Sequence, residues 1–262
     1  MPVTPAQASL AGRWAVVTGG AAGIGAATAR ALAAFGADVA VCDRDADGLA
    51  DTVAAAEALG RRANSGVLDV RDGDAVRAWT TGLERVDVLV NNAGGGFHAP
   101  FADISPKGQQ ALVDENFTSV THLVRGCLPR MPDGASVVNV TSVEAHRAAP
   151  GFSVYAAMKA AVEQLTRTLA LELSPRRIRV NCVAPDAIPT PGDQVLASSV
   201  GAMQDYAERV PLGLGTPDDC AAAIAFLAGD LSRFVTGTTL HVDGGTNAAR
   251  GWHRRPDGGW SP

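Results

Sequence analysis

The sequence predicts an α/β protein: one domain built on a doubly wound parallel sheet of about seven strands, with helices on both faces. Short runs rich in β-branched residues alternate with longer alanine-rich runs along most of the 262 residues, which is the pattern of repeated strand–helix–strand units. The first such run, Trp14-Ala15-Val16-Val17, passes directly into a glycine cluster and then into an alanine-rich stretch ending near Phe35. The length suits one large domain with a substantial core.

Taken in order, the apolar runs place strands at 14–18, 38–43, 63–68, 86–91, 135–140, 178–183 and 238–242. The longer segments between them read as helices at about 23–35, 47–59, 72–81, 107–130, 155–173 and 217–229. Residues 1–12 read as a loose arm, 13–246 as the domain and 247–262 as a polar tail rich in Gly, Arg and Trp. Trp252 and Trp260 suit a cover over a neighbouring subunit or the pocket mouth, with a floppy end as the alternative. No internal repeat interrupts the chain.

The glycine cluster is Thr18-Gly19-Gly20-Ala21-Ala22-Gly23-Ile24-Gly25. Strand, glycine turn and helix in that order begin a dinucleotide-binding unit of the Rossmann type. Gly19 permits the tight turn, and Gly23 and Gly25 let backbone approach a pyrophosphate and the helix pack on the sheet. The helix N-terminus then offers N–H groups and a positive dipole end to phosphate. Asp43 closes the second strand 18 residues past Gly25, the spacing at which a carboxylate accepts hydrogen bonds from the adenosine ribose. It would repel a 2′-phosphate, so the expected cofactor is NAD. Arg44 next door argues for NADP, since a guanidinium pairs with that phosphate, but the glycine turn itself holds no Arg or Lys.

Tyr155 and Lys159, within Y-A-A-M-K, stand one helical turn apart on one face and can act on the same small molecule. A tyrosine with its ordinary pKa of ~10 is nearly inert as a base at neutral pH. A neighbouring ammonium favours the phenolate and brings the phenol towards the working range.

These segments together resemble the classical short-chain dehydrogenase/reductase family. The resemblance runs from about Arg13 to Gly245. It rests on T-G-G-A-A-G-I-G at 18–25, L-D-V at 68–70, N-N-A-G at 91–94, Asn116, Ser142, Y-A-A-M-K at 155–159 and the run from Asn181 to Thr190. The three-residue gap between Tyr and Lys fits this branch better than enoyl reductases or extended epimerases. The resemblance implies that Asp69 and Val70 meet the adenine, that Asn92, Ala93 and Gly94 line the adenine ribose, and that Ile24 belongs to the phosphate turn. It implies that Asn116 holds a water beside Lys159 and that Ser142 polarises the substrate carbonyl. Tyr155 exchanges the proton, while Lys159 holds the nicotinamide ribose and lowers the tyrosine pKa. Pro185, Ile188 and Thr190 fall at the nicotinamide carboxamide. One departure is Asp186, where the family usually has glycine. Either it tolerates a positive φ there, which is the preferred reading, or its carboxylate faces the substrate.

Pro189 to Pro211, holding Val195, Leu196, Val200, Met203, Tyr206 and Val210, reads as a substrate lid with an apolar inner face, or else as an ordinary surface helix. Phe97, Glu144, His146 and Phe152 are expected on the pocket's other walls, with Leu196 and Met203 from the lid; Glu144 and His146 suit either a polar substrate group or a solvated loop. Phe97, Phe152 and the lid favour a bulky apolar alcohol or ketone, steroid-like, terpenoid or alicyclic. The runner-up is a 3-oxoacyl-thioester reductase, which normally prefers NADP, so Asp43 counts against it. A dinucleotide sensor without catalysis has no use for a tuned phenol.

The net charge of −5 argues against a nucleic-acid surface, and no stretch of about 18 apolar residues suggests a membrane span. The first twelve residues lack the order of a secretory signal. Cys42, Cys127, Cys182 and Cys220 lie far apart without CxxC spacing, as buried free thiols in a reducing cytoplasm do. The scattered histidines make a metal site unexpected, and the resemblance implies a homotetramer.

Overall fold

Seven strands, β1 Trp14–Thr18, β2 Asp38–Asp43, β3 Ala63–Val67, β4 Val88–Asn91, β5 Ser136–Val140, β6 Arg179–Pro185 and β7 Thr239–Val242, form one sheet in the order β3-β2-β1-β4-β5-β6-β7. Every neighbouring pair is parallel. The structure, a computed structural model, describes residues 2–191, 203–255 and 259–261. Helices α1 Gly23–Ala34, α2 Ala46–Ala58, α3 Gly73–Thr81, α4 Pro106–Val113, α5 Ser119–Cys127, α6 Ser153–Glu172, α7 Met203–Arg209, α8 Pro217–Ala228 and α9 Thr246–Ala249 complete the described chain. A two-residue hairpin pairs β8 His253–Arg254 with β9 Trp260–Ser261.

Burial on both faces explains why the central strands read as continuous valine-rich runs. Val17 and Val16 are neighbours on β1, yet they belong to different cores, because successive strand side chains point to opposite faces. On one side Val17, Val39 and Val90 pack with Leu32, Leu49 and Ile224 of α1, α2 and α8. On the other, Val16, Leu89 and Val137 pack with Val76, Leu123 and Val162 of α3, α5 and α6. Edge strand β3 is largely exposed and correspondingly polar, Ala-Asn-Ser-Gly-Val.

Strand order reverses between β1 and β4. Connections therefore leave these two strands in opposite directions, opening a crevice at their C-terminal ends where ligands bind in such sheets.

The helix expected over 107–130 is interrupted. Asp114–Thr118 form a π turn between α4 and α5, and Leu128–Arg130 a 3-10 turn. The Asn116 side chain donates to the Leu112 carbonyl at 3.0 Å, and Ser119 Oγ donates to that of Glu115 at 2.7 Å. Side chains thus occupy carbonyls that a regular helix would use, and such bulges recur at functional positions. The N-terminal arm is exposed over residues 2–6 and anchored at its end by Leu10, which is buried and donates its N–H to the Phe35 carbonyl. In the tail, α9 and the small hairpin are regular, and Trp252 is half exposed.

Candidate active site

The glycine turn is held from the end of β4, the neighbour of β1 in the sheet. Asn92 Nδ2 donates to the carbonyls of Thr18 (3.0 Å) and Gly19 (3.3 Å), while Thr18 Oγ1 accepts from the N–H groups of Asn92 and Ala93. Gly19 has φ +67°, a left-handed conformation that glycine adopts without strain. Helices α2, α3 and α4 begin at side-chain acceptors (Asp45, Asp72 and Ser105), whereas α1 begins at Ala22 with no side-chain cap. An uncapped, glycine-lined helix start suits an anion.

Above it lies a cavity of about 870 Å³ at the sheet's C-terminal edge. Its walls bring together Gly19, Gly23, Ile24, Asp43, Arg44, Asp69, Val70, Asn92, Ala93 and Gly94 with Ser142, Tyr155, Lys159, Pro185, Ile188 and Thr190. Gly25 is not on the surface of the cavity; it packs under Gly19. Asp43 stands at the end of β2, its carboxylate accepting from the N–H groups of Ala21 (3.2 Å), Arg44 (2.6 Å) and Asp45 (3.2 Å). Asp69 is gripped by the Arg71 guanidinium, which holds its carboxyl below the usual range. Arg44 leans towards Glu115 at 3.9 Å. The crevice, the uncapped helix and a carboxylate at its far end fit a dinucleotide.

Lys159 is buried on α6, donates from Nζ to the Val140 carbonyl at 3.0 Å, and lies 5.5 Å from the centre of the Tyr155 ring. Burial disfavours its ammonium and lowers its pKa to about 8, against the opposing pull of Glu115. Asn116 is also buried; its amide donates to the Gly95 carbonyl (2.8 Å) and accepts from the Gly95 N–H (3.2 Å). It therefore fixes the Gly94-Gly95 strip rather than lining the cavity itself. Ser142, just past β5, caps a short turn by accepting from the Glu144 N–H.

The lowered lysine pKa has a consequence for stability. Below about pH 8 both folded and unfolded chains carry the proton, and the folded state bears the burial cost. Between about 8 and the ordinary 10.5 only the unfolded chain keeps it, so stability gains from rising pH in that window. The stability of wild type relative to Lys159→Met is thus expected to rise across the window in denaturant titrations. A flat difference would remove the buried-ammonium assignment.

The expected substrate wall is partly redrawn. Phe152 lines the cavity. Glu144 also lines it, but is bound by Arg147 at 2.8 Å. His146 is turned away, with Nε2 2.6 Å from the buried carboxylate of Glu163 and its ring against His241; Glu163 needs a buried partner and takes it. Phe97 is outside the lining, with its ring against Gly108. Leu196, like Val195 and Val200, lies outside the described residues, and Met203 opens α7 with its side chain outside them too.

Asp186 corrects the preferred reading of that position. The positive φ falls on Ala187 (+55°), not on Asp186. The Asp186 carboxylate instead accepts from Tyr206 Oη (2.5 Å), Arg147 (3.1 Å) and Thr246 Oγ1 (2.6 Å). Arg147 and Tyr206 both line the cavity; the sequence places Tyr206 only within the lid and Arg147 only in the loop after Ser142, and the unusual Asp186 was the available signal for what joins them. The four cysteines are buried and unpaired, with burial raising each thiol's pKa. Among the described residues no cluster of His, Cys, Asp or Glu suits a metal, and no helix is long and apolar enough to cross a membrane.

Comparison with known proteins agrees with this fold. The profile of a family described as Enoyl-(Acyl carrier protein) reductase matches residues 19–247. The chain is 39% identical to 3beta-hydroxysteroid dehydrogenase 1 of Eggerthella lenta, over 90% of this chain and 94% of that one. It is 37% identical to 3-oxoacyl-[acyl-carrier-protein] reductase FabG of Thermotoga maritima, over 90% and 98% respectively. The crystal structure of carveol dehydrogenase from Mycobacterium avium in complex with NAD superposes with a TM-score of 0.84 at 31% identity, covering 90% of this chain and 98% of that one. Other solved neighbours are complexes with NADPH or NADP.

Proposed function

Because the chain belongs to the classical short-chain dehydrogenase/reductase family, we propose that it is an NAD-dependent oxidoreductase acting on a hydrophobic secondary alcohol or ketone of steroid-like, terpenoid or alicyclic form. A nicotinamide dinucleotide is the family's cofactor in its solved neighbours. The choice of NAD rests on Asp43, a carboxylate that lines the cavity at the end of β2 and would repel an adenosine 2′-phosphate. The observation that carries the reaction is the Tyr155–Lys159 pair on one face of α6, lining a cavity that Ser142 also lines.

When bound, the nicotinamide supplies or takes up the hydride. The chain's own residues manage the proton and the geometry. Ser142 orients the substrate oxygen through its hydroxyl, and Tyr155 Oη gives that oxygen a proton in reduction or removes it in oxidation. Lys159 stabilises the phenolate electrostatically and holds the nicotinamide ribose. Asn116 keeps the Gly94-Gly95 strip in place and, with a water, connects the lysine to solvent.

The relatives support the substrate class: one is named for a steroid alcohol and one solved neighbour for carveol. FabG favours a second reading, reduction of a 3-oxoacyl thioester. NADH formation from NAD⁺ with steroid, terpenoid, alicyclic and 3-hydroxyacyl substrates separates them. Turnover of a cyclic alcohol is expected; turnover of the acyl thioester alone would replace this reading with the second.

Asp43→Ala is expected to lower kcat/KM with NAD⁺ by about 10- to 100-fold, the loss of hydrogen bonds to a charged group worth about 1.5–3 kcal/mol. The variant should also admit NADP⁺. An unchanged NAD⁺/NADP⁺ ratio would remove Asp43 from cofactor choice.

We also read the assembly as a homotetramer in the cytoplasm. Among the described residues β7 is an edge of the sheet, and Phe234 and Leu171 are exposed. Four buried, unpaired thiols suit a reducing compartment.

A further inference from the structure

Asp186 joins three segments that the sheet alone does not hold together. Its carboxylate accepts from Arg147, Tyr206 and Thr246, which lie 39, 20 and 60 residues away in sequence. Arg147 belongs to the loop after Ser142, Tyr206 to α7 beyond residues 192–202, and Thr246 to the start of α9. Asp186 itself follows β6 immediately and is nearly buried, with 11% of its side chain exposed. Its position is rigid, because its N–H donates to Val242 of β7 and its Oδ1 accepts from the Ala187 N–H.

Charge also matters. Arg147 is shared between two carboxylates, Glu144 and Asp186, so it offers no unneutralised cation to the cavity. Tyr206 is spent as a donor to Asp186. Burial and the adjacent carboxylate push its phenol above the ordinary range, only partly countered by Arg147. Of the chain's two tyrosines, both line the cavity, yet this environment keeps Tyr206 protonated and leaves acid–base work to Tyr155.

We propose that Asp186 is a specificity-determining positioning residue: by tying Arg147, Tyr206 and Thr246 together it assembles the substrate-side wall and neutralises it towards anionic substrates. That wall serves the alcohol dehydrogenase reading given above, on which its substrate consequence rests. A carboxylate- or phosphate-bearing alcohol would meet an arginine already paired twice, whereas a neutral ring meets a closed, satisfied surface.

The test has one arm without turnover. In Tyr155→Phe the sole remaining tyrosine is Tyr206, so phenolate absorbance reports it directly. Adding Asp186→Asn removes the charge with little change of shape, and the phenolate is expected to form about one pH unit lower or more, with circular dichroism confirming that the fold persists. An unchanged onset overturns the proposal. In the second arm, Asp186→Asn alone should raise KM for a turned-over cyclic alcohol about tenfold, a 1.4 kcal/mol loss, with kcat changed less than about threefold. Selectivity for neutral over carboxylate-bearing alcohols should narrow. A kcat loss with unchanged KM and selectivity also overturns it. If wild type turns over none of the alcohols, the functional reading fails while a lowered phenolate onset still upholds the Asp186 assembly. Turnover with an unshifted onset does the reverse.

Discussion

Tyr155→Phe is expected to reduce kcat by about a thousandfold, within the 10²–10⁴ range that a positioned acid or base contributes, while NADH binds within about twofold of wild type. The substitution removes one oxygen and leaves the ring. That ring fills space against Gly96, where an added Cβ would lie 3.2 Å from it, and meets Phe152 edge-on at 6.5 Å. Phenylalanine preserves those contacts, so the cavity wall should persist and only the proton carrier disappear. Among the described residues, the other titratable groups near the phenol are engaged elsewhere. Tyr206 is tied to Asp186, His146 to Glu163, and the Lys159 ammonium lies beneath the tyrosine ring donating to Val140. Stopped-flow and steady-state assays of NADH formation, with NADH fluorescence titration beside them, read the two halves separately. Retained turnover would sink the acid–base role; lost NADH binding would mean that the phenol mainly shapes the cofactor cavity.

Much of this site was legible because its residues are local in sequence or recur at fixed spacings. The glycine turn, the carboxylate ending β2 and the two α6 residues one turn apart each occupy a short window. Residue type there dictates geometry: glycine for close backbone approach, a helical i,i+4 pair for a shared face. The central strands were equally readable, since burial on both faces writes itself as unbroken valine. What escaped depends on long-range partners. The π turn at Asp114–Thr118 arises from side-chain competition for carbonyls inside a segment whose composition is helical throughout. His146 was expected in the pocket because it follows Ser142 closely, but a buried carboxylate on α6 captures it. Asp186 was visible as an oddity, and a backbone explanation was the local one available; its actual partners come from three distant segments, and the strained backbone belongs to its neighbour Ala187.

Gly25→Ala is expected to raise the NADH dissociation constant by about a hundredfold or more, a loss near 2.7 kcal/mol, and to destabilise the fold by about 1–3 kcal/mol as overpacking does. A Cβ at Gly25 would lie 1.9 Å from the Gly19 carbonyl oxygen and 2.6 Å from Asn92 Nδ2. Neither neighbour can yield cheaply. The Gly19 carbonyl belongs to the turn and accepts from Asn92, while the same Asn92 amide also holds Thr18 at the end of β1. One methyl group therefore pushes the phosphate-facing turn away from α1 and breaks its tie to the segment after β4. The harm is steric, because Gly25 is not among the positive-φ glycines. Gly134→Ala provides the contrast. Gly134 has φ +84° but open space around an added Cβ, so alanine there should cost about 1–2 kcal/mol of backbone strain and leave NADH affinity intact. Denaturant midpoints and NADH titrations on both variants separate the two mechanisms. Equal NADH binding by Gly25→Ala and wild type would mean that the Gly19–Asn92 contact does not shape the cofactor cradle. Equal loss in both variants would assign the effect to global stability instead.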